Sequence, residues 1–119
     1  MKIKVTFLLL TAGLFLLVSC QHPSVFADSP AVTFSLDISP IINSNCAMSG
    51  CHDAGGHEAK SLITYDDVMR YVKENSPDES KLYKVLYASG EDKMPRNGDL
   101  TDLQKQLIFV WIGQGAKNN

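Results

Sequence analysis

Four residues separate Cys46 from Cys51 in NSNCAMSGCHD, residues 43–53, and His52 follows the second cysteine without a gap. No other feature constrains the fold as much, because little else is available to hold this chain together. It has 119 residues, enough for one small domain. Apolar residues make up 45% of it, but many of them lie in the first twenty positions. The helical patterns in the remainder are short. A folded part of roughly 80 residues with short helices has little core of its own and usually needs a staple. A disulfide across the small 46–51 loop would supply little of that constraint, because its stabilisation grows with loop length. A buried apolar cofactor at the cluster would supply more.

The first segment, MKIKVTFLLLTAGLFLLVSC, has Lys2 and Lys4 ahead of an apolar run from Val5 to Val18. The run is too short and too weakly flanked for an ordinary membrane-spanning helix, and reads as an export signal. Its end, Leu17-Val18-Ser19-Cys20, resembles a bacterial lipobox, which implies that residues 1–19 are removed and Cys20 is lipidated. The alternative is an ordinary signal peptide cut near Ala27. Gln21 stands where an aspartate would resemble an inner-membrane retention signal, which points to the outer membrane, on its periplasmic side. Loss of Lys2 and Lys4 lowers Lys+Arg from 11 to 9 against 13 acids, a formal charge of -4. An acidic exported domain of this kind is not a nucleic-acid binder. Lipid on Cys20 also explains the odd cysteine count, leaving Cys46 and Cys51 as a local pair. Residues 20–33, with two prolines and no helical period, read as a tether that includes His22, and the folded domain is expected over 34–116.

Four short helices are expected within that domain, and no stretch alternates as a strand would. The first places Leu36, Ile38, Ile41 and Ile42 on one pattern, with Ser35 as N-cap and Pro40 in the first turn. The second lies in TYDDVMRYVKE, capped by Thr64, with Val68, Met69 and Val72 as its apolar face. The third follows a capping box of Ser76, Pro77 and Glu79, and carries Leu82, Val85 and Leu86. The last has Thr101 as cap, Gln104 at N3, and Leu103, Leu107, Val110 and Trp111 on one face. Ile108 and Ile112 widen that face, and Gly113 or Gly115 ends the helix.

Three chemistries suit the cluster. A c-type haem takes two cysteines as thioethers and a histidine, directly after the second, on the iron, so adjacency of Cys51 and His52 is the informative part. The usual spacer is two residues, whereas Ala47, Met48, Ser49 and Gly50 stand here; four can work if the additional residues bulge outward, which Ser49-Gly50 permits. Zinc would use Cys46, Cys51, His52 and His57, at a spacing unlike the usual fingers. The third choice is a plain disulfide in an exported protein.

From about Phe34 to Ala116 the chain resembles small single-haem c-type cytochromes of the class I kind. The matching pieces are LDISPIINSNCAMSGCH and DKMPRNGDLTDLQKQLIFVWIGQGA. The resemblance implies a helix ahead of the attachment motif, a C-terminal helix packed across it, and long loops around one covalent haem. It implies Cys46 and Cys51 as haem-attaching cysteines and His52 as the proximal ligand. Met94, followed by Pro95, matches the distal ligand. Met69 sits at core spacing, Met48 lies inside the attachment loop, and His57 falls in a loop close after His52, so each is a weaker choice. With His52 and Met94 both on the iron no position stays open, which suits electron transfer to redox partner proteins of the cell envelope rather than catalysis. The other readings are a haem sensor or peroxidase-like protein with an open distal site, and a cofactor-free interaction lipoprotein holding a disulfide.

Overall fold

The computed structural model describes residues 25–55 and 60–119. The export segment, Cys20, His22 and His57 lie outside these residues. Within the described residues the chain is all-α: four helices, two of them very short, and no strand. None of these helices is long and apolar enough to cross a membrane.

Helix α1 (Ser39–Asn45) is preceded by a π-helical turn over Phe34–Ile38. The cap of this assembly is Thr33, two residues before the expected Ser35. Thr33 Oγ1 accepts from the Leu36 amide at 3.3 Å, and Asp37 Oδ2 accepts from the Thr33 amide at 2.7 Å. The wider turn adds a residue per turn and changes the phase of the apolar stripe. Phe34, Ile38, Ile41 and Ile42 are buried, while Leu36, expected in the stripe, is 78% exposed. Pro40 sits in the first turn of α1, where its missing N–H costs nothing.

Helix α2 (Tyr65–Met69) begins at Thr64 in a reciprocal capping box with Asp67 and buries Val68. It covers only the first half of the expected stretch. Beyond it, the backbone is captured by the next segment: the Leu82 amide donates to the Tyr71 carbonyl at 2.9 Å, and the Lys73 amide to Ser80 Oγ at 2.8 Å. The box expected at Ser76 does not form. Pro77–Glu79 is a 3₁₀ turn, the Ser76 side chain makes no cap bond, and Glu79 pairs with Lys73. Helix α3 (Lys81–Lys84) starts after the buried Ser80 instead, and Leu82 and Leu86 enter the core.

Helix α4 (Asp102–Gly113) is the main organiser. Its capping box is the expected one: Gln104 N–H donates to Thr101 Oγ1 at 3.2 Å, and Thr101 N–H to Gln104 Oε1 at 2.9 Å. The buried face is Ile108, Trp111 and Ile112, with Leu107 and Val110 half-buried; Leu103, expected on that face, is 65% exposed in the first turn. Trp111 is fully buried beside Phe34 and Tyr65, with ring centroids 5.7 and 6.4 Å away. The helix closes on Gly115 at φ 95°, where Ala116 N–H reaches back to Trp111 O at 2.8 Å and Gly115 N–H to Ile112 O at 3.0 Å. That nested pair satisfies two otherwise orphaned carbonyls and needs the left-handed backbone only glycine adopts freely.

Residues Phe26–Val32, part of the stretch expected to serve as a tether, lie against this end of α4. The Gln114 amide nitrogen lies within hydrogen-bonding distance of the carbonyls of Phe26, Ser29 and Pro30 (3.0–3.3 Å), and its oxygen accepts from the Val32 amide at 3.0 Å. The Phe26 ring packs on Phe109 and covers Gly113, where any side chain would run into it.

Candidate functional site

Helix α1 delivers Cys46 as its C-terminal cap: the Cys46 and Ala47 amides both donate to the Ile42 carbonyl, at 2.8 and 2.9 Å. The chain then reverses. Cys51 N–H donates to Met48 O at 2.9 Å, and Gly50 between them has φ 80°. A positive φ at the third position of a four-residue turn is the place that type II turns reserve for glycine. Finally His52 N–H donates to Cys46 O at 3.1 Å. The four-residue spacer is therefore thrown outward as a closed turn, with Met48, Ser49 and Gly50 exposed, and the second cysteine returns to the first. The bulge expected from Ser49-Gly50 has this form.

The half-buried His52 is held at both ends. Its carbonyl accepts from the amide of the buried Leu62 at 3.0 Å, which ties the residue to the core. Its ring Nδ1 lies 2.8 Å from the Lys60 carbonyl. A carbonyl can only accept, so Nδ1 is the donor, and in the neutral ring this tautomer places the lone pair on Nε2, which has no partner among the described residues. Histidine ligands of metals are commonly set up in this way, with one ring nitrogen tied to a carbonyl and the other left for the metal.

Cys46 and Cys51 are both free thiols and half-buried. Burial, and secondarily the neighbouring Cys51, pushes the Cys46 thiol up to about 11. It is a neutral thiol at physiological pH. Among the described residues no three His, Cys, Asp or Glu side chains converge as a metal site; His57, the fourth residue of the zinc alternative, lies outside them.

Met94 comes from a different part of the chain, the loop between a 3₁₀ turn at Gly90–Asp92 and α4. It is half-buried, its amide donates to the Val85 carbonyl at 2.9 Å, and a cis peptide bond joins it to Pro95. Lys93 Nζ and Asp99 Oδ1, 2.8 Å apart, draw the two sides of this loop together. Of the competing methionines, Met69 packs against the core and Met48 stands out on the turn, 40% exposed. Cys46, Cys51 and His52 thus form one closed unit, and Met94 is presented separately through α3.

Residues that hold the unit in shape were not identified from the sequence. Lys60 contributes only a carbonyl, which carries no side-chain signal. Asp53 accepts from the Gly50 amide through Oδ2 at 3.2 Å, while its Oδ1 is buried with no partner among the described residues. A carboxylate three residues past a glycine is the one signal that could have suggested it.

The donor set fits a covalently attached haem. Two free thiols stand at the ends of a turn, and an imidazole beside the second offers Nε2. Exposed apolar side chains are available at Met48 and at Ile63, which follows the Leu62 that pins His52. A cavity of about 400 Å³ near Phe26, Val32, Trp111 and Gln114 shares no lining residue with this unit. No family model matches the chain, and no curated protein or solved structure matches it either.

Proposed function

We propose that the protein is a lipid-anchored, single-haem c-type cytochrome that carries electrons between redox partner proteins of the bacterial cell envelope. The observation that carries this reading is His52: it adjoins a free cysteine in a closed loop, its Nδ1 is engaged by the Lys60 carbonyl, and its Nε2 has no hydrogen-bond partner among the described residues. Cys46 and Cys51 would hold the haem covalently, with His52 and Met94 as axial ligands. The bound group supplies a one-electron iron centre.

This chain's own residues do the rest. The Leu62 amide and Lys60 carbonyl fix the imidazole's direction and tautomer. The Val85 carbonyl holds the Met94 backbone at the end of α3. With His52 and Met94 both bound to it, the iron would offer no site to peroxide or oxygen, and the thioether would raise the potential relative to a second histidine. Helix α1 ahead of the attachment loop and α4 through the core correspond to the helix pair of the family the sequence resembles. A haem would also add apolar contacts to a domain whose own buried set is small.

The test is a haem-stained gel and a pyridine haemochrome spectrum of the chain, made with its signal segment and the c-haem maturation machinery. A covalent haem band that His52→Ala weakens is the expected result, and its absence in the unsubstituted protein refutes the proposal. Met94→Ala then separates the carrier from an open-site sensor or peroxidase. The carrier loses its Met–iron charge-transfer band, whereas an open site keeps the same oxidised spectrum.

A further inference from the structure

We propose that Asp53 is a positioning residue for haem attachment: its carboxylate clasps the Ser49-Gly50 turn, so that two cysteines separated by four residues are both taken up as thioethers. The inference rests on the haem reading above and deepens it.

The physical problem is set by the spacer. Four unconstrained residues between the cysteines would let Cys46 wander relative to Cys51 and its neighbour His52. Two backbone bonds oppose this, Cys51 N–H to Met48 O and His52 N–H to Cys46 O. Neither holds the tip of the turn. The tip amide belongs to Gly50, at φ 80°, and apart from its chain neighbours no atom of the described residues lies within 4 Å of where its Cβ would be. Among the described residues Asp53 Oδ2 takes that N–H, reaching back across Cys51 and His52 at 3.2 Å. Gly55 passes close by: a Cβ there would lie 3.6 Å from Oδ1 of the same carboxylate. Oδ1 is buried and has no partner among the described residues, so within them the carboxylate's one hydrogen bond is the one to the turn.

Each thioether forms when a cysteine S–H adds across a vinyl C=C: sulfur bonds to one carbon, the thiol proton goes to the other, and no oxidant is consumed. Cys51 lies next to His52 and is placed whenever His52 is placed. Cys46 depends on the turn. Loss of the clasp is therefore expected to leave Cys46 as a free thiol on a chain that still carries haem through Cys51.

The experiment compares the wild type, Asp53→Asn and Asp53→Ala, each made as the full chain with the maturation machinery. The haem-bearing fraction is unfolded, alkylated and mapped for label on the peptide containing Cys46 and Cys51. The wild type and Asp53→Asn, whose amide oxygen can still accept, should show no label. Asp53→Ala should show one label, on Cys46, in most haem-bearing chains, with a red-shifted haemochrome band from the remaining vinyl. Two intact thioethers in Asp53→Ala, or an Asp53→Asn that behaves like it, overturns the inference while leaving the haem reading intact. A wild type without haem refutes both. Should Asp53→Ala carry no haem at all, amide exchange of Gly50 in the haem-free chain decides. Exchange about tenfold faster than in the wild type and Asp53→Asn, as expected for loss of one hydrogen bond, supports the clasp; unchanged exchange overturns it.

Discussion

The end of α4 and the Cys46–Asp53 loop are both turned by a glycine at positive φ, Gly115 at 95° and Gly50 at 80°, yet they are secured by different means. Around Gly115 the two local bonds of the helix end are joined by long-range ones. Tyr65 Oη donates to the Ala116 carbonyl at 2.8 Å, Ser35 N–H to the Asn119 carbonyl at 2.9 Å, and Gln114 binds the backbone of Phe26–Val32. Trp111 and Ala116 are both fully buried there. Around Gly50 every backbone or carboxylate bond within the turn is local, and the turn's side chains face solvent. Long-range closure in a buried site gives stability, because it can be lost only by separating distant parts of the chain. Local closure at the surface fixes the shape of the turn while Met48, Ser49 and Gly50 stay exposed.

The contrast is tested most strongly by truncating one residue from each region. Trp111→Ala should cost about 3–5 kcal/mol in urea unfolding of the haem-free chain. Met48→Ala should stay within about 0.5 kcal/mol, as for an exposed side chain. A Met48 effect as large as that of Trp111 would erase the distinction.

Next in size is the chemistry of the Cys46 thiol, pushed up to about 11 chiefly by burial. Alkylation of Cys46 in the folded, haem-free chain at pH 8 should be at least about tenfold slower than in an unfolded peptide. Its rate should keep rising to about pH 11. A rate that levels off near pH 9, as for an ordinary thiol, would show that the loop does not shelter it.

Gln114→Ala should cost roughly 1–2 kcal/mol, because it leaves several backbone groups of the docked segment without their partner. Limited proteolysis should then cut within residues 26–32, while the Cys46 alkylation rate stays unchanged. A change at Cys46 would mean that the two regions are coupled rather than independent.

The smallest effect concerns pH. Bonds from the Thr64 backbone and side chain, helped by Arg70, hold the Asp67 carboxyl below the usual range. A carboxyl depressed in the folded state contributes stability above its unfolded value, and loses it as pH falls through the folded one. Acid unfolding below about pH 4 should therefore have a shallower slope in Asp67→Asn. As a single carboxyl at the edge of the fold, this group should move the acid midpoint only slightly.

How much could be read in advance follows the same division between local and distant bonds. Thr64 and Thr101 were identifiable as caps because their partners lie three residues on, at Asp67 and Gln104. Ser76 had an equally good local pattern and failed, because Glu79 was taken by Lys73 and the backbone around Ser76 by Ser80. Leu36 and Leu103 matched helical spacing but face solvent, one because a π turn shifted the phase and the other because Leu100, just ahead of the helix, enters the core at that end of α4. At the candidate site, the grouping of Cys46, Cys51 and His52 is written in their adjacency along the chain, whereas Met94 enters through the family resemblance of its Met-Pro loop and lies on a separate loop. Asp53 and the Lys60 carbonyl could not be read in advance, since their roles appear only once the loop is closed.

The amino-acid order by itself determined the all-helical character, the two strongest caps and the grouping of two thiols with an imidazole, because each of these depends on neighbours a few residues away. The tertiary structure decided which helix faces are buried, that residues 26–32 join the domain, how a four-residue spacer closes into a turn, and which nitrogen of His52 donates to the Lys60 carbonyl. Those outcomes depend on competition among hydrogen-bond partners and apolar surfaces that meet only when the chain is packed, and such competition is not written at any single position.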